Sequence, residues 1–119
     1  MASINDSLAT LMTIDGAMCC SLVDSSSGMI LGQAGSGVDM ELAAAGNTEV
    51  VRAKQRTMES LKLSDTIDDI LITLGKQYHI IRPSAANTGL FFYIVLDKSR
   101  SNLALARRKV QDVEQAVKI

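Results

Sequence analysis

His79 is the only histidine of the chain and the first candidate for acid–base chemistry. A histidine that serves as a general base needs a carboxylate to orient it and a nucleophile to activate, and the sequence shows no such set. Asp68 and Asp69 could form a carboxylate pair, but neighbours on a strand point to opposite faces of a sheet. We interpret the two aspartates as the solvated start of a strand and place His79 on a strand face. The sequence therefore predicts no catalytic residue and no enzyme.

Cys19 and Cys20 are the only cysteines, and they are adjacent. Neighbours on a strand point apart, so these two thiols do not easily form a disulfide with each other. In an apolar strand a cysteine is usually a small buried hydrophobe, and a redox or palmitoylation role is the alternative. Without spaced cysteine and histidine ligands, the sequence predicts neither a metal site nor a cofactor.

Residues 32–37 read Gly-Gln-Ala-Gly-Ser-Gly and invite comparison with phosphate-binding loops. Glycines let backbone N–H groups approach an anion in front of a helix. The spacing is G-x-x-G-x-G, which is neither the dinucleotide-binding fingerprint nor the Walker loop with its lysine and hydroxyl residue. The segment is therefore predicted to be a flexible link between a strand and the helix that follows.

One dense basic cluster stands out, in and before the last predicted helix. Its members are Lys98, Arg100, Arg107, Arg108 and Lys109. The net charge of −1 and the 3% aromatic content argue against nucleic acid as a partner. A solvated helix face is the plain interpretation of the cluster. Docking of a partner protein through Arg100, Arg107, Arg108 and Lys109 is the alternative.

Length and hydropathy bound the class of protein. The 119 residues suit a single domain, residues 1–119. No run of about 18 apolar residues occurs, so no direct membrane insertion is expected. The first residues lack the basic region and apolar run of a signal peptide, and the protein is expected in the cytoplasm.

The hydrophobic pattern predicts the element order α-β-β-α-β-β-β-α. Helices are expected over residues 4–12, from an Asp39 N-cap to about Leu61, and over residues 103–117. Strands are expected over residues 17–23, from residue 29 to an end at Gly35-Ser36-Gly37, and over residues 67–74, 78–82 and 90–96. The first and fifth strands are apolar throughout, which predicts central positions in one mostly antiparallel sheet with helices covering its apolar faces.

The second helix has more apolar surface than one buried face requires. Besides an imperfect stripe that begins at Met40, it carries a stripe of small residues, comprising Ala43, Gly46, Val50, Ala53 and Thr57. A helix at a protein surface needs only one apolar stripe. The second stripe indicates that another helix approaches closely.

Three stretches of the sequence, residues 11–32, 70–83 and 90–110, resemble the Roadblock/LC7 family. The first reads Leu-Met-Thr-Ile-Asp-Gly-Ala-Met-Cys-Cys-Ser-Leu-Val-Asp-Ser-Ser-Ser-Gly-Met-Ile-Leu-Gly. It is similar to the family's helix end, Gly-Ala entry, first strand, turn and second strand. The third ends in Asn-Leu-Ala-Leu-Ala-Arg-Arg-Lys-Val, which resembles the last helix of bacterial members. Together the stretches cover nearly the whole chain in the family's order.

The resemblance implies an α/β (α+β) fold of the profilin-like or longin-like type. Its central antiparallel sheet of five strands has the order 2-1-5-4-3, with helices on both faces. Family members include dynein light chains, lysosomal scaffold subunits and bacterial activators of small Ras-like GTPases. The implied function is a non-enzymatic homodimeric regulator or scaffold for such a GTPase or for a multiprotein complex. A small-ligand sensor domain is the alternative.

The resemblance also implies that two chains pair through the second helix and the third strand. In this sequence the corresponding residues are Ala43, Ala44, Gly46, Asn47, Val50, Ile70, Leu71 and Ile72. Periodicity alone leaves open which alanine of the helix faces the second chain.

Overall fold

A computed structural model describes residues 2–119 of the chain; Met1, the first residue of the predicted domain, lies outside them. The helices are α1 (Ile4–Leu11), α2 (Met40–Ser60) and α3 (Leu103–Ala116), with a short 3-10 turn at Lys98–Arg100. The strands are β1 (Ala17–Asp24), β2 (Met29–Gly35), β3 (Ile70–Thr73), β4 (Gln77–Pro83) and β5 (Leu90–Asp97). The predicted order of elements is confirmed.

The five strands form one antiparallel sheet in the order β2-β1-β5-β4-β3. The two strands with continuous apolar runs, β1 and β5, lie at its centre, and five and six of their residues respectively are buried. Strands β2 and β3 form the two edges. Both the sheet order and the central strands agree with the predictions from the sequence.

Helices cover both faces of the sheet, as predicted. On one face, α1 and α3 enclose a core built on Leu22, Phe92 and Ile94. On the other face, α2 covers a smaller core that includes Phe91 and Val95. Alternation along β1 and β5 sends successive side chains to these two cores, which is why continuous apolar runs were needed there.

Each of the three α-helices has a short polar residue at its N-cap. Ser3, Asp39 and Asn102 each accept a hydrogen bond from a backbone N–H of the first turn, at 3.1, 3.2 and 3.1 Å. An N-cap of this kind satisfies one of the amide groups that the first turn leaves without an intrahelical partner. The predicted cap at Asp39 fixes where α2 starts.

The glycine-rich segment is strand over residues 32–35, which corrects the flexible link predicted there, whereas the predicted end of the strand at Gly35-Ser36-Gly37 is confirmed. Strand β2 continues through Gly35, and Leu31 is an extra residue that shifts its register against β1. A Cβ on Gly32 would lie 2.8 Å from Leu8 Cδ1 and 3.0 Å from Ile4 Cγ2 of α1. The glycine therefore serves the close packing of α1 on the sheet edge, and no phosphate-binding loop forms there.

The third strand is shorter than predicted. The expected strand over residues 67–74 is regular only from Ile70 to Thr73, because residues 62–69 leave α2 in an irregular path before pairing begins. Asp68 and Asp69 consequently precede the strand and do not belong to it. The short strand keeps one edge of the sheet small.

Candidate protein interaction site

Helix α2 packs against the sheet through a single stripe of residues, which lies in the first half of the helix. Met40, Ala44, Thr48 and Val51 are its buried residues. Ala44 is 0% exposed, so it belongs to the core of its own chain and drops out of the predicted dimer surface. Thr48 was not anticipated at a buried position, but its hydroxyl donates to the Ala44 carbonyl oxygen at 2.7 Å and is thereby satisfied.

The flank of α2 that faces β3 and β4 is uncovered. Val50 is 38% exposed and borders a cleft of about 520 Å³ together with Lys54 and Ile70 of β3. Ala43 is half-buried at the same flank, and Gly46 is exposed, with no neighbouring atom within 4 Å of a Cβ placed on it. Packing within the chain thus gives no reason for a glycine in the middle of this helix. We call Ala43, Gly46, Asn47 and Val50 the α2 flank.

The sheet beside the α2 flank ends at an edge strand. Among residues 2–119, β3 pairs with β4 alone, which leaves its outer row of backbone groups free of strand partners. Ile70 packs with the core under α2, and Ile72 stands opposite His79 in the ladder. Leu71 points to the other face and packs against the core of α1 and α3. The structure therefore brings the α2 flank and one face of β3 together on one side, and places Leu71 on the opposite side.

His79 lies in a polar chain beside this surface, and no carboxylate among residues 2–119 bonds to its ring. Its Nε2 is 2.8 Å from Gln77 Oε1, and its Nδ1 is 2.9 Å from the Tyr93 hydroxyl, which is the arrangement of a neutral ring that donates to Gln77 and accepts from Tyr93. The two rings meet edge to face, with centroids 5.5 Å apart. Burial raises the pKa of Tyr93, and the Asn47 side chain partly offsets this rise. The hydrogen bonds of His79 join β4 and β5.

Acidification should destabilise the fold through His79. Burial lowers the pKa of this histidine below its ordinary value of 6.5, so the unfolded chain binds the proton more readily than the folded one. The free energy of unfolding should therefore hold its value above pH 6.5 and fall as the pH drops towards the lowered pKa. Urea titrations between about pH 7.5 and 5.5 will measure this slope. His79→Gln should reduce it, and an unchanged slope in that variant would contradict the assignment.

The basic cluster is divided by the fold. Arg107 forms a two-pronged ion pair with Asp69, at 2.9 and 2.8 Å, which ties α3 to the entry of β3 and raises the pKa of the guanidinium. Arg108 lies 3.7 Å from Asp112 one turn along the same helix. Arg100 is exposed and forms no ion pair in the part of the chain described. Asp69, which we expected to be solvated, is therefore a fixed partner of Arg107.

The two cysteines are buried on opposite faces of β1, and both are free thiols. Burial raises the pKa of Cys19, and it raises that of Cys20 to about 12. A thiol held protonated and away from solvent is a poor nucleophile. The geometry matches that of small hydrophobic core residues.

Known structures share this architecture at low sequence identity. No protein-family model and no curated protein matches the sequence. A Roadblock/LC7 domain from Streptomyces avermitilis superposes with a TM-score of 0.82 at 9% identity, over 97% of this chain and 94% of that one. The chain has the Roadblock/LC7 fold.

Two bacterial proteins named MglB share the Roadblock/LC7 fold with this chain. MglB of Myxococcus xanthus superposes with a TM-score of 0.79 at 16% identity, covering 92% of this chain and 89% of that one. The gliding protein MglB of Thermus thermophilus gives 0.71 at 14% identity, with 94% and 88% covered. At these low identities the superpositions show a shared fold, and they do not assign roles to individual residues.

Metal-binding and membrane-spanning features are both missing from residues 2–119. No group of three or more histidine, cysteine, aspartate or glutamate side chains there is placed to hold a metal ion. None of the helices in this range combines the length and the apolar character needed to cross a membrane.

Proposed function

We propose that this chain is a non-enzymatic regulator or scaffold that works as a homodimer on a small Ras-like GTPase or within a multiprotein complex of the cytoplasm. The observation that carries the proposal is the joint exposure of the α2 flank and the free edge of β3. Both lie on one side of the molecule, and together they form a surface that a second copy of the chain can cover.

A two-fold arrangement suits this surface. Pairing of β3 with its symmetry mate would join two sheets into one of ten strands and remove an open edge from each chain. The small residues of the α2 flank, Ala43 and Gly46, would let the two α2 helices approach side by side. Val50 would lose its exposure to water in the same step, which favours association. A structural neighbour is described as MglB with tetrameric arrangement, which supports the proposal of an oligomer.

The GTPase part of the proposal rests on the family resemblance of the sequence, whose bacterial members include activators of small Ras-like GTPases. The likeness of fold to two proteins named MglB is in keeping with a bacterial regulator of this type. Arg100 and Lys109 remain candidates for docking, because Arg107 and Arg108 already face acidic partners within the chain. Docking charges of this kind act mainly on the rate of association and on specificity.

A pull-down from native lysate tests the function. Tagged wild-type protein should retain a small GTPase with a preference for one nucleotide state, whereas the protein alone should not hydrolyse GTP. A variant that cannot dimerise, Val50→Glu, should lose the GTPase if the partner contacts both subunits. Recovery of no GTPase and no complex subunit by wild-type protein would refute the proposed function, and GTP turnover by the isolated protein would refute its non-enzymatic character.

A further inference from the structure

A groove of about 560 Å³ lies under the C-terminal half of α2, at the end of the sheet where β4 stops and β5 begins. The core-facing stripe of α2 continues past Val51 to Gln55, Met58 and Glu59. These three side chains line the groove and do not pack on the sheet. The opposite wall is the loop from β4 to β5, including Ser84. We call this space the end groove.

The C-terminal end of α2 carries a C-cap beside the end groove. Lys62 adopts a positive φ of 57°, and its N–H bonds to the Glu59 carbonyl at 3.0 Å while the Leu63 N–H bonds to that of Met58 at 3.0 Å. These two bonds complete a helix C-cap, which ends α2. Residues 63–69 then run without regular structure to β3 and close one side of the groove. The C-terminal part of α2 thus stands over a space that its own chain does not fill.

The end groove combines an apolar floor with an acidic rim. Val51 and Phe91 are buried at its floor, and Met58 is half-buried beside them. Glu59, Asp65 and Asp68 line the rim and take part in no ion pair among the described residues. Among those residues the groove has one cationic side chain, that of Arg82, which is paired with Glu114 at 2.9 Å. The unbalanced charge of the groove is therefore negative.

We propose that the end groove binds a short segment of a partner protein that places an apolar side chain on the floor and a lysine or arginine against the acidic rim. Charge complementarity selects a basic segment and disfavours an anionic one, since like charges at an interface repel. The end groove adjoins the cleft beside the α2 flank, and Met58, Asp65 and Asp68 line both. Gln55 and Glu59 line the end groove and not the cleft.

Titration with a defined peptide tests the end groove. The probe is an acetylated and amidated pentapeptide of alternating lysine and leucine, added to the 15N-labelled full chain. We expect saturable shifts of the amide signals of Gln55, Ser84 and Thr88, with a dissociation constant below about 1 mM that rises with salt. A peptide with glutamate in place of lysine, and one with serine in place of leucine, should each bind at least several-fold more weakly.

Matched variants separate the groove from a general charge effect. Glu59→Lys should weaken binding about three- to tenfold, the size expected for reversing an exposed charge pair. Glu49→Lys, an identical change on the solvent side of α2, should leave the affinity unchanged. Ala85→Trp, which fills the groove without altering charge, should also weaken binding. Equal effects of Glu59→Lys and Glu49→Lys, equal binding of the glutamate peptide, shifts confined to another surface, or no saturation would each overturn the proposal.

Discussion

Glu114→Ala should cost about 3–5 kcal/mol of folding free energy, a cost typical of breaking a buried ion pair. The Glu114 side chain is 2% exposed, and its Oε1 accepts from Arg82 Nε at 2.9 Å. Its Oε2 accepts from the Ala85 N–H at 3.3 Å. Removal of the carboxylate leaves a guanidinium that is 13% exposed without its counter-charge and leaves a backbone amide without its acceptor.

Thermal and urea unfolding measure this loss. For a domain of this size the melting temperature should fall by roughly 10–20 °C. The control replaces both partners with apolar residues, Arg82→Met with Glu114→Leu, and should recover most of the loss because no charge stays buried alone. A loss below about 1 kcal/mol for Glu114→Ala would show that the pair does not hold α3 to the end of β4.

Val50→Glu should convert the proposed dimer into a folded monomer. The side chain is 38% exposed in the single chain, so a glutamate there can remain in water and leave the fold intact. In the two-fold dimer the substitution would place two unpaired carboxylates in the interface, and burying them costs several kcal/mol. The dissociation constant should therefore rise at least about 100-fold.

The matched control for this variant is Ala45→Glu. Ala45 is exposed on the side of α2 that faces the hairpin, where its Cα lies 3.9 Å from a Cβ placed on Gly28. The variant carries the same added charge on the same helix and should still dimerise. Circular dichroism will confirm that both variants fold, and size-exclusion chromatography with light scattering will give their masses. Dimers of unchanged stability in Val50→Glu would rule out the α2 flank as the interface.

Hydrophobic patterning predicted the order of the elements and the central strands, because its strongest signals lie in the most buried strands. Strands β1 and β5 have both faces covered, so their continuous apolar runs identified them as central. The order of the sheet came from the family resemblance. The predictions were less accurate in the edge strands. Glycine is common in loops, so Gly32 was assigned to a flexible link, whereas in β2 a glycine is needed because α1 leaves no room for a side chain.

The arrangement of the site was harder to predict from local patterns. Periodicity did not separate Ala43 from Ala44, and only the packed helix shows that Ala44 is the core residue. The ion pair of Arg82 with Glu114 spans 32 positions of the sequence, and that of Arg107 with Asp69 spans 38. No local sequence pattern links positions so far apart. One signal was available: Glu114 lies one turn after Val110, on the apolar stripe of α3, where a charge needs a buried partner.

Two chains are expected to associate through the α2 flank and β3, and sedimentation velocity of the wild-type protein measures this association. Runs between about 1 and 100 µM span the range in which a specific dimer should persist. We expect a species of twice the 12.8 kDa chain mass at the higher concentrations. A single species of 12.8 kDa at every concentration would contradict it.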